Sequence, residues 1–390
     1  MSLQERFGVL TGRVLEAHAA TLFSVLRRRK PIVVTPRVAI VARRDDVLEV
    51  LHRPDVFGVP YGPKMEAVTG PFMLGEDDTP HSRAERARLR AARPPAAIER
   101  NGEHAAEAAE RRIAAARPRG RIDVVTELLD PVLVEVSTRA LGATAPDEAT
   151  LLRWTRDIFQ DIFLDAAGTP SIHARSLAAA AEMRPHVDAD VARGAPGEDD
   201  LLSRLLAEPD ADRLAIRHAL IGLVTGWIPT ASKAIALAVD ELLRRPAELA
   251  SAAQAARAGA DDRAAGALWE AMRLRPQTAG LLRVCLADAE VAARTPRAAT
   301  VPAGATVFAA TASALRDPAA VPAASAFRAD RGLDSLTFGD GLHRCYGEPV
   351  NRRQIPAIGL ALLRLPGLRR AGPLRFSGPY PSSLPVAFDP

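Results

Sequence analysis

The chain has 390 residues, with 51 Lys and Arg against 47 Asp and Glu and a net charge of +4. Charge this close to balance, with only 4% aromatic residues and none interleaved with a basic stripe, argues against a nucleic-acid surface. Two cysteines exclude a disulfide framework and point to a reducing compartment; the length would allow two or three domains, yet no Gly/Ser linker, repeat or low-complexity block divides 1–390.

Taken in chain order, residues 1–29 are amphipathic but interrupted by Arg13, His18 and Arg27 to Arg29. They hold no apolar run of about eighteen residues and no signal-peptide pattern, so no membrane anchor is expected there. Two short β-branched runs, 31–34 and 38–41, flank Thr35-Pro36-Arg37 and predict a hairpin. Residues 45–51 predict a helix that stops at His52-Arg53-Pro54. The stretch 56–74, with Pro60-Tyr61-Gly62-Pro63 and Gly70-Pro71, predicts irregular loop. Helical periodicity then covers 123–141, 147–166, 172–193 and 213–244. Pro229 lies inside the last of these; it has no N–H for the carbonyl of Thr225 and should kink the helix.

The run 264–274 is again helical and places Glu270 and Arg273 three apart on one face, where they can pair. Read alone, this is a surface ion pair worth about a few tenths of a kcal/mol. Residues 283–308 turn to strands, with Val301-Pro302-Ala303-Gly304 as a turn.

The densest signal is Phe338-Gly339-Asp340-Gly341-Leu342-His343-Arg344-Cys345-Tyr346-Gly347. A structural cysteine would explain none of the flanking glycines. Zinc normally needs about four N/S ligands, and the other cysteine, Cys285, lies far off with no paired spacing. Gly339, Gly341 and Gly347 permit positive φ and close backbone approach to a flat ligand, and neighbouring N–H groups can donate to a thiolate.

The same segment fills every fixed position of Phe-Gly-x-Gly-x-His-x-Cys-x-Gly and resembles the haem-binding loop of the cytochrome P450 family. The resemblance implies a mainly α fold with small β-sheets, the soluble bacterial type, as a single domain over 1–390. Haem b would lie between the long central helix and the Cys loop. A cytoplasmic, monomeric monooxygenase follows, acting on a small-molecule substrate with electrons from a ferredoxin and a ferredoxin reductase. Cys345 would be the axial ligand, with Phe338 at the ring edge and Gly347 beside it.

Further residues match by position. Glu270 and Arg273 resemble the family's Glu-x-x-Arg motif, and Arg331 stands where the third member of its buried triad is expected. His81, Arg283 and His343 match partners of the haem carboxylates. The family usually has an arginine four residues after the first histidine; here that residue is Glu85, with Arg86 next. The segment covering the family's substrate pocket makes Tyr61, Lys64, Met65, Phe72 and Met73 pocket candidates, with Trp227 from the central helix. Arg344, Arg352 and Arg353 would form a docking patch for an acidic electron donor.

One departure bears on chemistry. The family's Ala-Gly-x-(Asp/Glu)-Thr-(Thr/Ser) aligns with Thr225 to Thr230, placing Ile228 at the acid and Pro229 at the alcohol. Neither can relay a proton. Within the set Thr225, Gly226, Pro229 and Thr230 the relay then passes to Thr230, or to the nearby Ser232, or to water held by the carbonyl that Pro229 frees, or to a substrate hydroxyl. Otherwise a peroxide replaces dioxygen, as in a peroxygenase or hydroperoxide isomerase. A haem sensor without turnover is the non-enzymatic alternative.

Overall fold

The computed structural model describes residues 21–194 and 199–390; of the N-terminal segment 1–29, residues 21–29 are helical and 1–20 lie outside the described part. The chain forms two compact units, Met1–Pro60 with Trp269–Tyr346, and Tyr61–Leu268 with Gly347–Pro390.

The first unit is built on a five-stranded sheet. The expected hairpin forms, with Ile32–Val34 antiparallel to Val38–Val41. The Thr35 side chain closes it by donating to the Val38 carbonyl at 2.9 Å and accepting the Val38 N–H at 3.0 Å. Val38–Val41 pairs in parallel with Thr306–Ala309, which pairs antiparallel with Leu281–Cys285, and that strand with Phe57–Gly58. A hairpin of Ala289–Val291 and Ala299–Val301 completes the strand region expected over 283–308. Ile32, Val41, Phe57, Val291, Val307 and the buried face of the helix Arg44–Leu51 share one core. That helix carries Asp45 and Asp46 in its first turn, where the helix dipole favours negative charge.

The second unit is helical around Arg213–Leu243, the central helix. Asp212 caps it by accepting the N–H groups of Leu214 and Ala215. It is apolar on nearly every face, which marks a core helix. It is the one helix among the described residues long and apolar enough to cross a membrane, and 78% of its most apolar window is buried. It packs on Asp130–Leu141, Glu148–Phe159 and Pro170–Arg193. Beside it, Pro95–Ala116 and the C-terminal helix Glu348–Leu363 approach closely at Gly102, where a Cβ would stand 2.8 Å from that of Arg353.

Three sequence expectations change. The stretch 56–74 is not all loop: Phe57–Gly58 is a strand and Gly62–Thr69 a helix. Pro63 in the first turn, where a missing N–H costs nothing, starts that helix, and Gly70 at φ 87° stops it. The helix expected over 123–141 is instead a strand Arg121–Asp123, a π-helical turn Val124–Leu129 and the helix Asp130–Leu141; Asp123 accepts the N–H groups of Val125 and Thr126. The helix expected over 147–166 ends at Phe159 and continues as a π-helical turn Gln160–Leu164. The proline-bearing helix spans Arg213–Leu243, close to the expected 213–244, and continues through Pro229.

Candidate functional site

The cysteine loop belongs to the first unit and is fixed from several sides. Asp334 accepts two hydrogen bonds from the Arg44 guanidinium, both at 2.8 Å, and caps the turn Ser335–Phe338 through the Leu336 N–H. Gly339 and Gly341 have φ of 73° and 70°. A Cβ at Gly341 would lie 2.0 Å from the Leu51 carbonyl oxygen, so no other residue fits there. Asp340 accepts the Gly341 N–H and faces His52 Nε2 at 3.2 Å. Burial works against its charge, but these two contacts outweigh it and hold the carboxyl below its ordinary value. The Cys345 N–H donates to the Phe338 carbonyl at 2.9 Å, and the Phe338 ring meets Trp269 edge-on at 6.5 Å. Neither cysteine is in a disulfide; Cys345 is exposed, while Cys285 is buried, donates to the Ala287 carbonyl and has its thiol pushed up by that burial.

The pair predicted at 270 and 273 is buried, not superficial: Glu270 is 0% exposed and Arg273 1%. Arg273 grips both Glu270 oxygens at 2.7 Å and donates to the Leu315 carbonyl. Arg331 reaches the same carboxylate at 3.4 Å and the carbonyls of Pro322 and Ala323, while the Arg328 N–H adds a further bond to it at 3.0 Å. One carboxylate thereby ties the helix Asp261–Leu274 to the segment that precedes the cysteine loop. A buried ion pair is tolerable because its remaining donors and acceptors are satisfied.

The cationic candidates occupy unlike settings. Arg283 lies on the strand Leu281–Cys285, 3% exposed, and donates to the Leu282 carbonyl. His343 ends the short turn Gly341–His343. In the second unit, His81 opens the helix Pro80–Ala91, 58% exposed, with Nδ1 2.8 Å from Glu76. Arg86 and Glu85 are both buried and hold one peptide: Arg86 donates to the Met73 carbonyl at 3.0 Å, and Glu85 accepts the Met73 N–H at 2.6 Å. Burial pushes Glu85 up and pulls Arg86 down from their ordinary values. Gly347 is the cap of the C-terminal helix; on that helix Arg352 pairs with Glu348 at 2.8 Å and Arg353 with Glu99 at 2.5 Å, so the positive charge expected of a docking patch is locally matched.

On the central helix, Ile228 and Pro229 are buried. The Thr230 hydroxyl donates to the Gly226 carbonyl at 2.5 Å, and Ser232 donates to Asp130 at 2.8 Å, itself paired with Arg156. Gly226 is different from its neighbours: a Cβ built there meets nothing within 4 Å, whereas one at Gly222, a turn earlier, would strike the Phe72 ring at 2.4 Å. The Trp227 indole N–H donates to Gln354 on the C-terminal helix at 3.1 Å, which commits one edge of that pocket candidate to packing.

The other pocket candidates lie on or beside the helix Gly62–Thr69, with Tyr61 at its N-cap, Lys64 and Met65 on it, and Phe72 and Met73 just beyond it. Met65, Phe72 and Met73 are buried, and Tyr61 packs edge-on against Phe163 at 4.8 Å. Sequence reading missed what holds this helix. Lys64 donates to the carbonyls of Asp161 and Asp165, both at 2.9 Å, and lies 3.1 Å from the Asp161 carboxylate. His173 adds a contact to Asp161 at 2.8 Å, and Arg184 donates to the carbonyls of Ala67 and Val68. Burial would raise Asp161, but His173 and Lys64 overcome it and hold the carboxyl below its ordinary value. These partners lie about a hundred residues apart in the chain, and no local spacing announces them.

Comparison with known proteins agrees with the cysteine loop. The family model for cytochrome P450 matches residues 265–364. The chain is 33% identical over 264 residues to the cytochrome P450 monooxygenase PikC of Streptomyces venezuelae, which is 65% of this chain and only 58% of that relative. It is 30% identical over 375 residues to the mycinamicin IV hydroxylase/epoxidase of Micromonospora griseorubida, covering 90% of this chain and 89% of that one. Among solved structures it resembles CalO2, with a TM-score of 0.83 at 26% identity over 96% of both chains.

Proposed function

We propose, for a chain that belongs to the cytochrome P450 family and so carries haem b, that it is a monooxygenase of a small organic metabolite. The observation that carries this reading is the Cys345 loop: an exposed cysteine that follows two positive-φ glycines, with its N–H on the Phe338 carbonyl and Asp334 tied to Arg44. The residues fit the cofactor. Cys345 would hold the iron, Phe338 would cover the ring edge, and Arg283, His343, His81 and Arg86 would face its carboxylates. The open face at Gly226, in an otherwise packed helix, leaves room for a flat ring. The two units would then act as one domain over 1–390.

When bound, the haem supplies activation of dioxygen by its thiolate-ligated iron. The chain's own residues orient and shield. Tyr61, Met65, Phe72 and Trp227 would line the substrate space beside Thr225, Gly226, Pro229 and Thr230, and their apolar surfaces would exclude water. A cytoplasmic setting with a ferredoxin and its reductase as electron donors goes with this reading, since dioxygen activation at the haem consumes electrons. The named activities of the relatives, hydroxylation and epoxidation, support a C–H or C=C bond as the target. Ile228 and Pro229 favour a second reading, a peroxygenase, because neither donates a proton.

The test is spectroscopic. Reduced protein under carbon monoxide is expected to show the red-shifted Soret band of thiolate ligation, and Cys345→Ala to lose it. A histidine-type band in wild type would overturn the assignment. Turnover with hydrogen peroxide alone, and none with ferredoxin and dioxygen, would select the peroxygenase.

A further inference from the structure

Three alcohols remain on the stretch of the central helix where the acid and alcohol are missing, and their bonding separates them. Thr230 donates to the Gly226 carbonyl, and Ser232 to Asp130. Thr225 is 1% exposed, and its hydroxyl has no hydrogen-bond partner among the described residues. This is not how buried helical threonines behave elsewhere in the molecule. Thr69 and Thr155 both return their hydroxyls to the carbonyl four residues back, as Thr230 does. The Thr225 hydroxyl is aimed elsewhere. Its own carbonyl lacks the usual helical donor, because the residue four positions on is Pro229, which has no N–H to give.

A buried hydroxyl without a partner carries a desolvation cost on the order of 1–3 kcal/mol, and a carbonyl deprived of its helical donor is an acceptor open to a second bond. Two such groups on one residue make a water site, since a buried water needs two to four polar contacts. Next to it, Gly226 offers open space. We propose that Thr225 is a positioning residue: its hydroxyl and carbonyl hold one water that delivers protons in place of the missing acid and alcohol. The inference rests on the monooxygenase reading. Inserting one oxygen atom into a substrate C–H bond consumes dioxygen, two electrons from ferredoxin and two protons, and releases the second oxygen as water. The Thr225 water relays those protons one at a time, taking one from solvent for each one it gives.

The experiment compares haem-loaded full-length wild type with Thr225→Val, which keeps the shape and removes the hydroxyl, and with Thr225→Ser, which restores it. In Thr225→Val, product per electron consumed is expected to fall about tenfold or more, with the electrons appearing as hydrogen peroxide, and Thr225→Ser to recover most of it. Independently of turnover, crystals of wild type should show an ordered water within about 3.2 Å of both Thr225 oxygens, absent from Thr225→Val. Equal coupling in wild type and Thr225→Val overturns the proton route; absence of the water, with Thr225→Val melting higher than wild type, overturns the site. If wild type consumes no dioxygen with ferredoxin, the monooxygenase reading fails and the proton route with it, while the water site stands or falls on the crystal density.

Discussion

Glu85 shows how a single residue can be set against its own charge. It is buried, its carboxyl is pushed up, and it stands where a cation is usual in the family, yet it holds the Met73 N–H at 2.6 Å. A raised folded value means that the stability Glu85 contributes is fully present below the unfolded carboxylate value, about pH 4, and is lost as pH rises through the folded one. Glu85→Gln keeps an acceptor for Met73 and removes the charge. Urea unfolding should therefore find the variant gaining on wild type between about pH 4 and pH 7, with little difference at the acid end. A pH-independent difference would rule out charge burial as the cause. Arg86 beside it stays charged in this range, since a guanidinium pulled down by burial starts from so high a value.

Among the elements, the helix Gly62–Thr69 is held by contacts to chain segments far away in sequence. It has no side-chain cap of its own, and its ends are held by Lys64 on the Gln160–Leu164 turn and by Arg184 on its last carbonyls. Lys64→Ala removes two charge-assisted bonds of about 1.5–3 kcal/mol each in isolation, partly compensated by water. Amide exchange over 62–69 should then quicken about tenfold or more, while the central helix keeps its protection. Unchanged exchange would show that apolar packing alone holds the helix. The clamp is also acid-sensitive in one direction: Asp161 is held below its ordinary value, so its contribution is present at neutral pH and lost as pH falls through that lowered value.

This element also marks the limit of what could be read from sequence. The hairpin at 31–41, the helix before His52, the central helix and the strands over 281–309 follow from periodicity, because their own residues carry the pattern. The cysteine loop was legible as a motif, since Gly339 and Gly341 are dictated by positive φ and Gly341 also by the Leu51 carbonyl, whereas Gly347, at φ −77°, does not use that freedom. The helix Gly62–Thr69 was hidden by the same Pro and Gly residues that bound it. The π-helical turns at 124–129 and 160–164 share the apolar spacing of an α-helix and differ only in hydrogen bonding. The isolated hydroxyl of Thr225 is a tertiary fact; residue type alone does not distinguish it from Thr230.

At the scale of the whole molecule, charge is the property that bears on partners. Net charge is +4, and long-range attraction to an acidic ferredoxin is screened over about 8 Å at physiological ionic strength. Reduction by such a donor is expected to slow as salt is added. Because Glu348 and Glu99 already match Arg352 and Arg353, Arg352→Gln should change that rate by less than about twofold in stopped-flow measurements. A several-fold loss would return Arg352 to the docking face.

The cysteine loop has one more consequence. Three separate ties converge on one short stretch of chain: the Arg44 fork on Asp334, the Leu51 carbonyl against Gly341, and the Glu270 hub with Arg273 and Arg331. Anchors of this kind are redundant, so loss of any one leaves the stretch tethered by the other two, and only combined substitutions should set it adrift.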